Sequence, residues 1–334
     1  MKQLKKENLA PFLEEMNKKR TVYCPQSVDD KDIILAPLGQ GDITDKACKT
    51  SISFKSMLFP QKEEINAFTE KGVKKTLDNT KTAVFGVRAC DFRSMEFVDT
   101  FMARNDMKDP FYFAKRDKIL IMVLACNEPV SETCFCMDTG ASPFLDKGFD
   151  LQFFDAGLFY IVESGSSAGD KILESNYFID ADPEDKEILK TIKTTALKSD
   201  MQAPGFSHAI KWLEKNEPSL KFWEDLATAC IACGGCSYVC PTCTCFNIFD
   251  SPSNGGFLRF RTWDTCMYEG FSRETSGHNP RASLGSRLAR RYLHKIKDDP
   301  ENYGISGCVG CGRCSDACPV GLGMIEIIRH INKI

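Results

Sequence analysis

Cys230-Ile231-Ala232-Cys233-Gly234-Gly235-Cys236-Ser237-Tyr238-Val239-Cys240-Pro241, and again Cys308-Val309-Gly310-Cys311-Gly312-Arg313-Cys314-Ser315-Asp316-Ala317-Cys318-Pro319, decide how this chain is read. Both stretches spell C-x2-C-x2-C-x3-C-P, the run that holds [4Fe-4S] clusters in two-cluster proteins, where the fourth cysteine of each run ligates the other cluster. Three thiolates spaced by two residues curl round one cube, while the fourth sits past a turn of helix and points away. The expected ligand sets are therefore crossed: Cys230, Cys233, Cys236 and Cys318 for one cluster, Cys308, Cys311, Cys314 and Cys240 for the other. Pro241 and Pro319 have no N–H to place, which suits a chain leaving a cluster loop. A structural zinc ion takes two C-x2–4-C pairs, or such pairs mixed with histidine, and leaves the third cysteine of each run surplus. Gly234, Gly235, Gly310 and Gly312 are expected to let the backbone approach the cluster sulfurs.

The 334 residues are 43% hydrophobic and 27% charged, the balance of a soluble globular protein of two or three domains. A net charge of -3 offers no general positive field for nucleic acid or an anionic membrane, and neither partner is expected. The basic stretch Arg287 to Lys297 reads as one solvated helix face. The longest apolar run, Ile119 to Ala125, is far short of the ~20 residues of a membrane-spanning helix. Met1 to Arg20 lacks the apolar core and cleavage site of a secretory signal, so a cytoplasmic location is expected. In that reducing compartment, seventeen cysteines serve better as metal ligands than as disulfides.

Residues 1–200 alternate short apolar stretches with amphipathic ones, the pattern of an α/β domain. Helices are expected over Asn8 to Lys19 and Glu63 to Leu77, and strands over Ala83 to Val87, Ile119 to Leu124 and Leu158 to Val162. Residues 201–228, which contain Trp212 and Trp223 and are broken at Pro204 and Pro218, read as a helical bridge. In residues 229–334 the two cysteine runs stand about 67 residues apart, with a helix expected over Leu284 to Lys297. So long a spacer favours helices as the carriers of the cysteines. The expected fold is α+β: an N-terminal α/β domain followed by a mainly α-helical ferredoxin-type domain with two [4Fe-4S] clusters.

The first half has cysteines of its own. The strands expected at Ala83 to Val87 and Ile119 to Leu124 run on to Cys90 and Cys126, and the next loop brings Cys134-Phe135-Cys136. If those strands are parallel and adjacent, the thiols meet at the carboxyl edge of the sheet, where open α/β sheets bind ligands. Buried packing is the alternative, since free cysteine is among the most buried residue types, and zinc is a credible occupant of an isolated four-thiol site. Cys243, Cys245 and Cys266 are one short of a cysteine-only site; His278 could complete it, but packing against the clusters is the simpler reading. Cys24 and Cys48 have no evident partner.

No G-x-G-x-x-G follows an expected strand and no G-x-x-x-x-G-K-[ST] is present, so nucleotide binding has no support in this chain. His208, His278, His294 and His330 are scattered, and none pairs with a nucleophile. No catalytic residue is assigned, and catalysis is expected on a partner. Two other readings stand beside this one: a structural or sensory iron–sulfur protein, and an N-terminal site with one ligand exchangeable for substrate.

At a larger scale the chain resembles the dicluster iron–sulfur subunits of cytoplasmic multisubunit oxidoreductases, among them the beta subunit of soluble hydrogenases and sulfhydrogenases and the A subunit of anaerobic sulfite reductase. The resemblance spans most of the chain. It is carried by Phe59-Pro60-Gln61, Phe85-Gly86-Val87-Arg88-Ala89-Cys90-Asp91, Cys134-Phe135-Cys136, Gly148-Phe149-Asp150, Cys240-Pro241-Thr242-Cys243 and Gly307-Cys308-Val309-Gly310-Cys311-Gly312-Arg313-Cys314. It implies a third [4Fe-4S] cluster on Cys90, Cys126, Cys134 and Cys136. It further implies a role in anaerobic metabolism as an electron wire between a flavin/NAD(P)H-binding subunit and a catalytic metal subunit, nickel–iron or sirohaem. The motifs do not separate the hydrogenase branch from the sulfite reductase branch.

Overall fold

Ile119–Leu124 is buried along its whole length, and the reason is visible in its alternation. Ile119, Ile121 and Val123 enter one apolar core, Leu120, Met122 and Leu124 another on the opposite face of the sheet, as the period of two requires. A computed structural model describes residues 1–28, 32–44, 48–199 and 201–334. Its strands are β1 (Lys2–Lys5), β2 (Thr21–Val28), β3 (Asp32–Pro37), β4 (Asp42–Ile43), β5 (Lys62–Thr69), β6 (Gly72–Lys75), β7 (Thr82–Val87), β8 (Ile119–Leu124), β9 (Leu151–Asp155), β10 (Phe159–Ser164), β11 (Ile179–Asp180), β12 (Phe246–Ser253) and β13 (Gly256–Trp263).

The main sheet runs β11-β1-β10-β9-β8-β7-β2-β3, with β4 beside β2. Its centre, β2, β7, β8 and β9, is parallel, and the flanks are antiparallel. Helix Ala89–Met102 covers one face, and helix Leu9–Asn17 packs on the other through Leu9, Phe12 and Leu13. The expected helix at Asn8 to Lys19 and the three expected strands are thus present within a few residues.

The expected helix over Glu63 to Leu77 is not there. That segment is β5 and β6, a hairpin in a second, antiparallel sheet ordered β12-β13-β5-β6. Its charged composition suits a helix locally, but Glu63 is bonded from across the chain: Arg261 Nη2 on β13 donates to its carboxylate at 2.6 Å, and Lys115 Nζ donates to it too. Pairing with distant partners outweighs local preference here. The spacer between the cysteine runs likewise contains the β12–β13 hairpin, which sequence alone did not anticipate, besides helix Leu284–Leu293.

A third core holds the C-terminal half. Helices Phe206–Leu213, Leu220–Ala227, Leu284–Leu293 and Met324–Ile331 bury Phe206, Trp223, Leu288, Tyr292 and Ile328 together. The Trp223 and Tyr292 rings lie parallel, with centroids 6.4 Å apart. The second cysteine run meets the sheet's carboxyl edge, where Gly310, Cys311 and Arg313 line one cavity with Cys90 and Cys126. No helix among the described residues is long and apolar enough to cross a membrane.

Candidate iron–sulfur sites

The two cysteine runs fold alike. Ala232 and Gly310 have φ of 55° and 66°, Gly234 and Gly312 both 73°, and each run then makes one turn of helix, Gly235–Tyr238 or Arg313–Asp316. The turn is followed by each fourth cysteine, and Cys240 stays near enough to Cys236 of its own run to act on that thiol. Cys318 lines one cavity with Cys230, Cys233 and Cys236. Cys240 stands near Cys308, Cys311 and Cys314, close enough for its charge to act on all three thiols. It is anchored there: Thr242 Oγ1 donates to Gly307 O at 2.6 Å, and Lys295 Nζ donates to both Thr242 Oγ1 (2.8 Å) and Gly307 O (3.2 Å). Backbone donors point at sulfur as well, Leu322 N–H to Cys318 Sγ (3.2 Å) and Met324 N–H to Cys314 Sγ (3.3 Å).

Burial pushes the Cys236, Cys311 and Cys314 thiols up, and that of Cys308 to about 12, so the protein alone does not favour thiolates here. A bound cationic group that releases the protons would resolve this. The surroundings are prepared for the anionic assembly that four thiolates and a cube make. Arg291, 2% exposed, donates through Nη2 to Cys236 O at 2.6 Å, while its Nε and Nη1 have no hydrogen-bond partner beside the Cys236, Cys240 and Cys243 thiols. Among the described residues, no three Cys, His, Asp or Glu side chains converge closely enough for a single metal ion. The cavities and donor set fit [4Fe-4S] cubes better than closed zinc sites.

At the sheet edge, β7 and β8 are parallel neighbours. Cys90 follows β7 in the first turn of helix Ala89–Met102, and Cys126 lies just beyond β8. These two thiols, with Cys134 and Cys136, line one cavity. Arg88 reaches across its floor: Nε donates to Cys48 O (3.0 Å), Nη1 to Leu124 O (2.9 Å), and the guanidinium bonds the Cys126 thiol. Burial raises the Cys90 and Cys126 thiols, and that of Cys136 to about 12. Cys311 of the second run lines the same cavity.

That closeness explains two glycines. A Cβ on Gly310 would stand 2.5 Å from Cys136 Cα, and one on Gly312 2.1 Å from Thr133 O; Phe135 N–H donates to Gly310 O at 2.9 Å. Gly310 keeps the expected approach to sulfur, since its backbone N–H bonds the Cys308 thiol. Gly310 and Gly312 also admit the N-terminal loop, whereas a Cβ on Gly235 would meet Cys233 Sγ at an ordinary 3.6 Å.

Cys243, Cys245 and Cys266 form thiol pairs rather than a ligand set. Cys243 bonds Cys240, and Cys245 bonds Cys266; the thiols of Cys240 and Cys266 are thereby lowered, and those of Cys243 and Cys245 raised. His278 is exposed, away from them. Lys55, pulled down to about 8 by burial, donates to Cys243 O at 2.8 Å. Cys24 is a core residue of β2, its thiol raised to about 12 by burial, and Cys48 is buried beside Arg88. The basic stretch Arg287 to Lys297 is no solvated face: Arg287, Arg291 and Lys295 are all buried. Their four-residue spacing, which places them on one helix face behind the cysteines, was the signal.

Residues 229–322 match the family model of the 4Fe-4S dicluster domain. The chain therefore carries a 4Fe-4S dicluster domain. Over 259 residues this dicluster protein is 29% identical to the sulfhydrogenase 2 subunit beta of Pyrococcus furiosus, covering 76% of its own length and 75% of that protein. It is 27% identical over 124 residues to the F420-dependent formate dehydrogenase subunit beta of Methanocaldococcus jannaschii, covering 36% of the chain and 24% of that subunit. With the F420-dependent formate dehydrogenase 1 subunit beta of Methanococcus maripaludis it shares 30% identity over 97 residues, again 24% of that protein.

Proposed function

We propose that this dicluster protein is the electron-transfer iron–sulfur subunit of a cytoplasmic multisubunit oxidoreductase of the hydrogenase or sulfhydrogenase type. In this reading it relays electrons between a flavin/NAD(P)H-binding subunit and a catalytic metal subunit. The observation that supports it is that Cys318 lines one cavity with Cys230, Cys233 and Cys236, while Cys240 lies near Cys308, Cys311 and Cys314; two cubes held by these sets would stand side by side. The N-terminal cavity of Cys90, Cys126, Cys134 and Cys136 shares Cys311 with the second run, so a third site would continue the line. When bound there, a [4Fe-4S] cube supplies one-electron exchange at a potential set by burial and hydrogen bonds to sulfur. The residues do the rest: thiols hold, backbone N–H groups and buried cations offset negative charge, and apolar walls keep water out.

The decisive experiment is iron and acid-labile sulfide per chain on anaerobically purified protein, with electron paramagnetic resonance of the reduced sample. We expect about twelve irons and three interacting signals. About eight would leave a two-cluster relay, and zinc in place of iron would sink the redox reading. Nickel in the purified complex supports the hydrogenase branch; sirohaem would assign the chain to anaerobic sulfite reductase instead.

A further inference from the structure

We propose that the surface around Cys233 is the docking face for a partner protein carrying its own redox centre, engaged through apolar contacts rather than ion pairs. The inference rests on the electron-transfer reading above. Of the seventeen cysteines, all among the described residues, Cys233 alone is exposed. It belongs to the cavity that also holds Cys230, Cys236 and Cys318, so this is where a redox site comes nearest to solvent. Ile231, 64% exposed, stands on one side of it and Val320, 37% exposed, on the other; both line that cavity. Tyr268 completes the rim, its hydroxyl donating to Cys233 O at 3.2 Å. No Asp, Glu, Lys, Arg or His side chain lines the cavity.

Single exposed apolar side chains need no explanation. Here two of them, from separate cysteine runs, frame the most exposed of the cysteines. A charged rim would steer a partner from a distance but keep water and counter-ions at the contact. An uncharged rim excludes water once covered and brings the partner's centre against the Cys233 side. The N-terminal cavity differs, since Lys49, Arg88 and Arg313 line it. The step balances simply: one electron passes to the partner's oxidised centre, the centre behind Cys233 is oxidised by one electron, and no bond is made or broken.

The test places a photo-cross-linking residue at the site, Ile231→p-benzoylphenylalanine, in the tagged full-length chain expressed in its native host. Leu158, 87% exposed and remote in the β9–β10 turn, takes the same replacement as the control. After anaerobic irradiation, mass spectrometry should identify the product from position 231 as a flavin- or metal-containing chain, with none from position 158. Ile231→Lys, compared on preparations of equal iron per chain, should lower retention of that partner by about tenfold or more, because its ammonium would be desolvated in an apolar contact. Retention by the unsubstituted chain should change little between low and high salt. Cross-linking to a second copy of this chain or to a protein without a redox centre, no product at position 231, or retention lost in high salt would overturn the docking face, while full iron content keeps the relay reading. Absence of iron from the unsubstituted chain would instead sink the relay reading, and this inference with it.

Discussion

Lys295 is a buried cation whose charge is decided by its neighbours. Burial opposes its protonation, but the Cys240 and Cys243 sulfurs overcome that and hold it charged. A positive charge so placed favours an added electron. Lys295→Met keeps the volume and removes the charge, so the midpoint potential of the nearest centre should fall by roughly 100 mV, read by potentiometric titration followed by electron paramagnetic resonance. An unchanged potential would show that the charge is screened. Cys318→Ser tests the ligand sets at the same scale. It should cost the iron held with Cys230, Cys233 and Cys236, about 80 residues earlier, and spare the set of its own run. Loss confined to Cys308, Cys311 and Cys314 would refute the crossing.

Among the elements, the two cysteine runs and the loop Cys134–Cys136 act as one assembly, because Gly310 and Gly312 let that loop lie directly on the second run. The same contact puts Cys311 into the wall of the N-terminal cavity. Cys134→Ala should therefore lower iron by about four per chain while the signals of the C-terminal pair persist, altered by the loss of a neighbour. Unchanged iron would reduce the N-terminal thiols to packing. The second sheet shows the same dependence on distant partners. Arg261 joins Glu63 to Asp109 at 2.6 Å and 2.5 Å, and Trp263 Nε1 donates to Phe59 O at 2.9 Å, so β5 and β13 hold each other against the first half of the chain.

Across the whole molecule, one buried ion pair clasps the two halves. Arg313, inside the second cysteine run, donates from Nη1 and Nη2 to Asp91 at 2.7 Å and 2.9 Å and from Nε to Thr50 O at 2.9 Å. Asp91 sits beside Cys90 at the start of the helix after β7, so the pair also registers the two redox regions against each other. Asp91→Asn leaves the guanidinium buried without its counter-charge, a change that costs about 3–5 kcal/mol. Urea unfolding of the iron-loaded protein should shift to lower midpoint and divide into two steps as the halves uncouple. A single, unshifted transition would show that the apolar cores and the Arg261 ion pairs hold the halves together without the Arg313 pair.

Composition and spacing alone determined the α+β character, the two iron–sulfur runs, and the strands that run on to Cys90 and Cys126, whose parallel pairing the structure supplied. These are short-range signals: a thiol every third residue, and apolar stretches too uniform to face water. They could not tell that Glu63 lies in a strand, that Arg291 and Lys295 are buried, or that Gly310 and Gly312 serve a contact with Thr133 and Cys136. Each of these depends on a partner far away in the chain, and no local pattern encodes which partner arrives. Which thiols share a cavity, and which of the seventeen is most exposed, was decided only when the second cysteine run packed against the carboxyl edge of the sheet.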